Sequence, residues 1–146
     1  MSDSDLMFRS AIELAGMVRS GELSSRELVE TSLARIEELN PSLNAFVEVD
    51  DERALQTADS IGPGDQRPFA GVPIAIKNNR PVQGLRLTYG CSLMAENMCD
   101  YDHNITHRLK DAAKWVPYGV GAIEGQSSEG GARELPVLEA GAPPTE

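Results

Sequence analysis

At 146 residues, with 40% apolar and 25% charged content, the chain has the size and mixture of one globular domain and is neither collagen-like nor wholly disordered. Its formal net charge of -10 and pI near 4.6 oppose direct binding to nucleic acid or to an anionic bilayer, because both need clustered Lys and Arg. The opening MSDSDLMFRS has no basic start and no apolar stretch long enough for a secretory signal, and no later segment reaches the length of a membrane span, so the expected compartment is the cytoplasm.

The first third announces two helices. In SAIELAGMVRSG, Ser10 can cap a helix with Glu13 at its third position, and Gly21 stands where a left-handed residue is wanted at the other end. In LSSRELVETSLARIEELNP, Ser24 and Glu27 form a second capping box, and Leu23 and Leu28 occupy the two positions of a hydrophobic staple. This helix carries Leu28, Val29, Leu33 and Ile36 at three- and four-residue spacing, with Arg26, Glu30, Arg35, Glu37 and Glu38 left for water and Asn40-Pro41 as its stop. LNAFVEV, residues 43–49, then reads as a short strand, and DERALQTADSI, residues 51–61, as a short amphipathic helix.

The run GVPIAIKNN follows a loop at Gly62-Pro63-Gly64. Its apolar, partly β-branched residues bounded by Gly and Asn predict a strand buried on both faces, with Lys77 at the exit. A lysine there is either a stem lying on the core edge with its ammonium in water, or a desolvated amine able to accept a proton, since burial disfavours the charged form. Spacing alone favours the first. A turn-rich passage around Pro81 and Gly84 leads to an expected strand at residues 85–88, and DYDHNITHRLKDAA to a helix capped by Asp100 or Asp102, with Ile105, Leu109 and Ala112 on one face. Helices alternating with short apolar strands define an α/β domain.

From Lys114 the character changes. The stretch 114–146 holds six Gly and four Pro, and its glutamates recur every fifth residue, a period of neither helix nor strand, so a poorly ordered tail anchored by Trp115, Val116 and Tyr118 is expected.

Other candidate chemistry is weaker. His103 and His107 lie four apart near Cys99, Asp100 and Asp102 but lack the glutamate of a zinc-binding HExxH helix, and solvent-exposed histidines with no metal are expected. Cys91 and Cys99 are too few for a disulfide framework and do not have CxxC spacing, which reads as two reduced thiols. Tyr89 and Cys91 follow the turn beyond Lys77 and could line a pocket, but packing in the core is the expectation for both. Ser127 and Ser128 in GQSSEGG do not form a GxSxG elbow and read as solvated linker.

Taken together and in order, ELAGMVRSGELSSRELVETSLARIEELNPSLNAFVEV, RPFAGVPIAIKNN and DYDHNITHRLKDAA resemble the N-terminal part of the amidase signature family, which includes relatives of the A subunit of glutamyl-tRNA amidotransferase; the resemblance covers about residues 10–113. It implies an incomplete α/β domain of amidase signature type, with the N-terminal helices and the first strands of a mixed sheet, in residues 1–113, and a separate Gly/Pro-rich tail in 114–146. It also implies a small-molecule amide substrate, hydrolysed through a Ser-cisSer-Lys triad in which Lys77 is the base, with no cofactor and no metal.

Two departures accompany the resemblance. The family usually has an aspartate after the lysine, where this chain has Asn78, and the family's serine loop lies further along a much longer chain. GQSSEGG is at the wrong distance from Lys77, so Ser127 and Ser128 receive no role. After Ala113 the expected Gly and apolar strand give way to KWVPYGV, as a reading-frame change, a truncated gene or a natural short variant would produce. The expectation is a truncated amidase-family chain, inactive alone, that self-associates or needs a complementary C-terminal fragment. The alternative is a non-catalytic binding or assembly module that uses the N-terminal helices.

Overall fold

The computed structural model describes residues 6–113 and, as backbone, 117–120. The first helix, α1 (Ala11–Ser20), starts at a complete capping box: the Ser10 side chain accepts from the Glu13 N–H, and the Glu13 carboxylate accepts from the Ser10 N–H. It stops at Gly21, whose φ of 78° is left-handed. The second helix, α2 (Ser25–Leu43), starts at the same reciprocal arrangement between Ser24 and Glu27.

Pro41 does not stop α2, as its sequence suggested; it lies inside the last turn, and the helix ends at Asn44 with φ of 52°. Proline is tolerated there because the turn is terminal and Asn40 bends the chain back by itself. The Asn40 Oδ1 accepts from the N–H groups of Ala45 and Phe46, and its Nδ2 donates to the Phe46 carbonyl. The expected strand at 43–49 is thereby cut to β1 (Glu48–Val49). Asp50 caps α3 (Asp51–Asp59).

Neighbouring residues of α2 serve two different apolar layers. Leu28 faces α1 in a cluster with Leu14, Val18, Ile61, Ala70 and Val72, against which Leu23 also packs, while Val29 faces α3 in a second cluster with Ala54 and Ala58. Both are 0% exposed. Full burial of such side chains contributes about 1.5–3 kcal/mol each.

Among the described residues the sheet has three strands in the order β1-β3-β2, formed by β1, β2 (Ile74–Lys77) and β3 (Pro117–Val120). β3 runs antiparallel to β1, with Glu48 opposite Gly119, and parallel to β2, with Ile74 opposite Pro117 and Lys77 opposite Val120. The central strand therefore comes from within the stretch expected to be a tail. Four residues are too few to carry a period, and hydrogen bonding to two neighbours decides their conformation. The rest of that stretch, including Trp115, Val116, Ser127 and Ser128, lies outside the described residues, as do the side chains of β3 and with them the expected Tyr118 anchor.

The last helix among the described residues, α4 (Asn104–Ala113), brings the chain back to the sheet. Its final carbonyls have no partner within the helix, and those of Ala112 and Ala113 accept from the N–H groups of Phe69 and Gly71 just before β2. Gly71, at φ of 79°, makes this approach possible: a Cβ there would stand 2.9 Å from Ser25 Cβ and 3.0 Å from Val18 Cγ1. The buried face of α4 is Thr106, Leu109 and Ala113 rather than Ile105, Leu109 and Ala112, and Ile105 is exposed. No helix among the described residues is long and apolar enough to cross a membrane.

Candidate active site

Lys77 is the last residue of β2, and its carbonyl starts the exit turn by accepting from the N–H groups of Asn79 and Arg80 at 2.7 and 3.0 Å. The strand is not buried on both faces. Ile76 points into a cluster with Val82 and Leu85, whereas Ala75, two residues before Lys77 on the opposite face, is exposed and Lys77 itself is half-buried. Burial on two faces requires a second layer over Ala75, and the described elements leave that residue in solvent.

The next residue organises the site. Asn78 is buried, and its Oδ1 accepts from the Thr88 N–H at 2.7 Å, the Thr88 hydroxyl at 2.8 Å and the Tyr89 N–H at 3.2 Å. Its Nδ2 donates to the Arg86 carbonyl at 2.9 Å. One amide side chain thus uses both ends, and a buried polar group satisfied in this way stabilises where an unsatisfied one would cost about 1–3 kcal/mol.

The segment bound by Asn78 turns sharply. The Cys91 N–H donates to the Thr88 carbonyl, and Tyr89 and Gly90 between them have φ of 52° and 70°, the signature of a primed β-turn. Tyrosine is an unusual occupant of that conformation and costs energy there. The turn sets Tyr89 and Cys91 at the surface, contrary to the expectation that both are packed in the core.

Other polar side chains fasten the same passage from outside. Glu48 of β1 accepts from the Arg86 N–H and pairs with its guanidinium, and Arg53 of α3 donates to the Gln83 carbonyl. Pro81 offers its carbonyl to the His103 N–H and to the hydroxyl of fully buried Thr106. The expected strand at 85–88 reduces to one bridge between Arg86 and Met98: Leu85 and Leu87 bond to the backbone of Cys99 and Asn97, but side chains take both backbone groups of Arg86, the Leu87 carbonyl and the Thr88 N–H.

Asp102 does not cap α4; its carboxylate accepts from the Gln83 N–H and from the Lys110 ammonium, and the side chain is 5% exposed. Burial alone would push its pKa up, but the Lys110 and Gln83 hydrogen bonds outweigh that and hold it below the usual aspartate range. His103 Nδ1 accepts from the Ile105 N–H at the start of the helix, and His107 is exposed. Cys91 and Cys99 are free, and burial pushes the Cys99 thiol up. Among the described residues no three metal-ligating side chains converge.

The sequence drew attention to Lys77 but not to what its neighbour does. Asn78, Thr88 and Glu48 acquire their roles through contacts 10 and 38 residues away in the chain, and only the turn residues NNRP hinted that the strand exit is specially shaped.

The amidase family profile matches residues 27–123, so the match passes Ala113 and takes in β3. The chain is 35% identical over 108 residues to the A subunit of the glutamyl-tRNA(Gln) amidotransferase of Chromohalobacter salexigens, covering 71% of this chain and 22% of that protein. It is 33% identical over 117 residues to an acylamidase of Rhodococcus erythropolis, covering 77% and 24%. The solved structure of 6-aminohexanoate cyclic dimer hydrolase complexed with substrate superposes with a TM-score of 0.65 at 30% identity, over 77% of this chain and 22% of that one. The chain therefore belongs to the amidase family, and it spans about a fifth to a quarter of the length of these relatives.

Proposed function

We propose that the chain is the N-terminal portion of an amidase-family hydrolase acting on a small carboxamide, and that Lys77 is the proton-accepting amine of its Ser-cisSer-Lys triad. The observation that carries this reading is the position of Lys77: it ends β2, opposite Val120 of the central strand, inside the family match. In that role the amine takes a proton from a bridging serine, which activates a second serine to attack the amide carbonyl. Ser127 and Ser128 are not assigned to these roles, and Ala75, in solvent beside Lys77, marks the face on which the remainder of the fold would close.

The chain alone is therefore catalytically silent in this reading. A base without a positioned nucleophile or an oxyanion hole lacks the parts that form and stabilise the tetrahedral intermediate, and loss of one oxyanion donor alone costs about 10²–10³ in rate. The test is amide hydrolysis by the chain, and by a chimaera in which its residues 1–123 replace the matching part of the related amidotransferase chain. No turnover is expected from the chain, and turnover abolished by Lys77→Ala from the chimaera. A chimaera indifferent to Lys77→Ala overturns the base; turnover by the chain alone, lost on substitution of Lys77 and of Ser127 or Ser128, overturns its silence.

A further inference from the structure

We propose that Asn78 is a positioning residue for Lys77, whose two-ended amide fixes the exit of β2 and ties it to the strained turn at Thr88–Cys91; this rests on the reading of Lys77 as the base. The lysine side chain is aimed by the backbone that carries it, and that backbone is held immediately downstream. The Lys77 carbonyl is engaged by Asn79 and Arg80, the Asn78 carbonyl accepts from the Tyr89 N–H at 3.3 Å, and the Asn78 side chain makes four further hydrogen bonds to residues 86–89.

The donor end of the amide distinguishes asparagine from aspartate at this position. Three donors converge on Oδ1, which a carboxylate would also satisfy. The other end meets the Arg86 carbonyl at 2.9 Å, an acceptor facing an acceptor if the group were an ionised carboxylate. Arg86 cannot turn away freely, because Glu48 holds its N–H and guanidinium. An aspartate would keep the clamp only while protonated.

The test uses the full chain and limiting acetic anhydride as the probe, with acetylation of Lys77 read against that of Lys110 by peptide mass spectrometry at neutral pH. Asn78→Ala and Asn78→Asp are each expected to change the Lys77-to-Lys110 ratio several-fold. Val29→Ala, a buried change in a different cluster, is expected to leave it within error. If Val29→Ala moves the ratio as much, general loosening explains the effect and the proposal falls. If only Asn78→Asp moves it, added charge explains the effect and the proposal falls.

A stability measurement covers the case in which Asn78→Ala does not fold. At neutral pH Asn78→Asp loses the donor to Arg86 and sets an acceptor against that carbonyl, while its other oxygen can still take the three donors, so it should unfold at a lower denaturant concentration than the parent. A midpoint equal to that of the parent overturns the clamp. Failure of the base reading is seen separately, in a chimaera whose turnover survives Lys77→Ala. Turnover lost in Lys77→Ala, with acetylation unmoved by either Asn78 variant, leaves the base standing and removes only the positioning role.

Discussion

Residues 10–61 and residues 78–103 of the same chain are held in place by different physics. The first region is helix on helix: capping boxes at Ser10 and Ser24 satisfy the free N–H groups of α1 and α2, and Leu28 and Val29 bury two apolar faces. The second contains a single short 3-10 turn, Ser92–Met94, as its only helix, and is shaped by side chains reaching backbone: Asn78 to residues 86–89, Asp102 to Gln83, Thr106 to Pro81, and Asn97 to Leu87. Apolar burial is nondirectional and tolerates small shifts, whereas each polar tie depends on one donor and one acceptor. The region beside Lys77 is the one built from geometry-sensitive contacts.

Substitutions that separate the two regimes follow, beginning with the largest effect. Leu28→Ala, at a side chain with 0% exposure, should cost about 3 kcal/mol through lost burial and a residual cavity, measured by denaturant unfolding. Gly71→Ala should cost roughly 2–3 kcal/mol, because the new Cβ meets Ser25 and Val18 while the backbone is left-handed. A midpoint equal to that of the parent would show that α2 and the entry to β2 can slide apart freely.

In the polar region, Asp102→Asn should cost roughly 1–3 kcal/mol, between the values for exposed and buried ion pairs, by leaving the Lys110 ammonium without its carboxylate partner. The pH dependence sharpens the contrast. Because the folded-state pKa of Asp102 is lowered, its contribution is fully present above the unfolded value and is lost as pH falls below about 4. Asp102→Asn should therefore flatten the acid limb of the stability curve, and Leu28→Ala should lower that curve without changing its shape. The smallest effect is expected for Ser24→Ala, on the order of 1 kcal/mol, from loss of one cap.

This division also explains what the sequence made legible. Helix starts depend on residues three apart, so Ser10-Glu13 and Ser24-Glu27 identify both capping boxes directly. The α/β class and the strand ending at Lys77 were legible for a similar reason, since each rests on a short local pattern. Misreadings fall where a distant partner decides. Pro41 reads as a stop until Asn40 is seen folding the chain back, Asp102 reads as a cap until Gln83 and Lys110 claim its oxygens, and residues 117–120 show no strand signal without β1 and β2 on either side. At the candidate site, Lys77 was visible as an anomaly in an apolar run, whereas Asn78 is ordinary in sequence and acquires its role only when residues 86–89 return to it.

The placement of β3 at the centre of the sheet sets an order of assembly. Each of β1 and β2 bonds to β3 and not to the other, although both precede it by 40 residues or more in the chain. During synthesis α1, α2 and α3 can pack on one another as soon as they emerge, since their contacts are short in sequence. Both earlier strands must then wait, with open edges, for residues 117–120. Until β3 arrives, the edge of β2 that ends in Lys77 is available to any other extended chain.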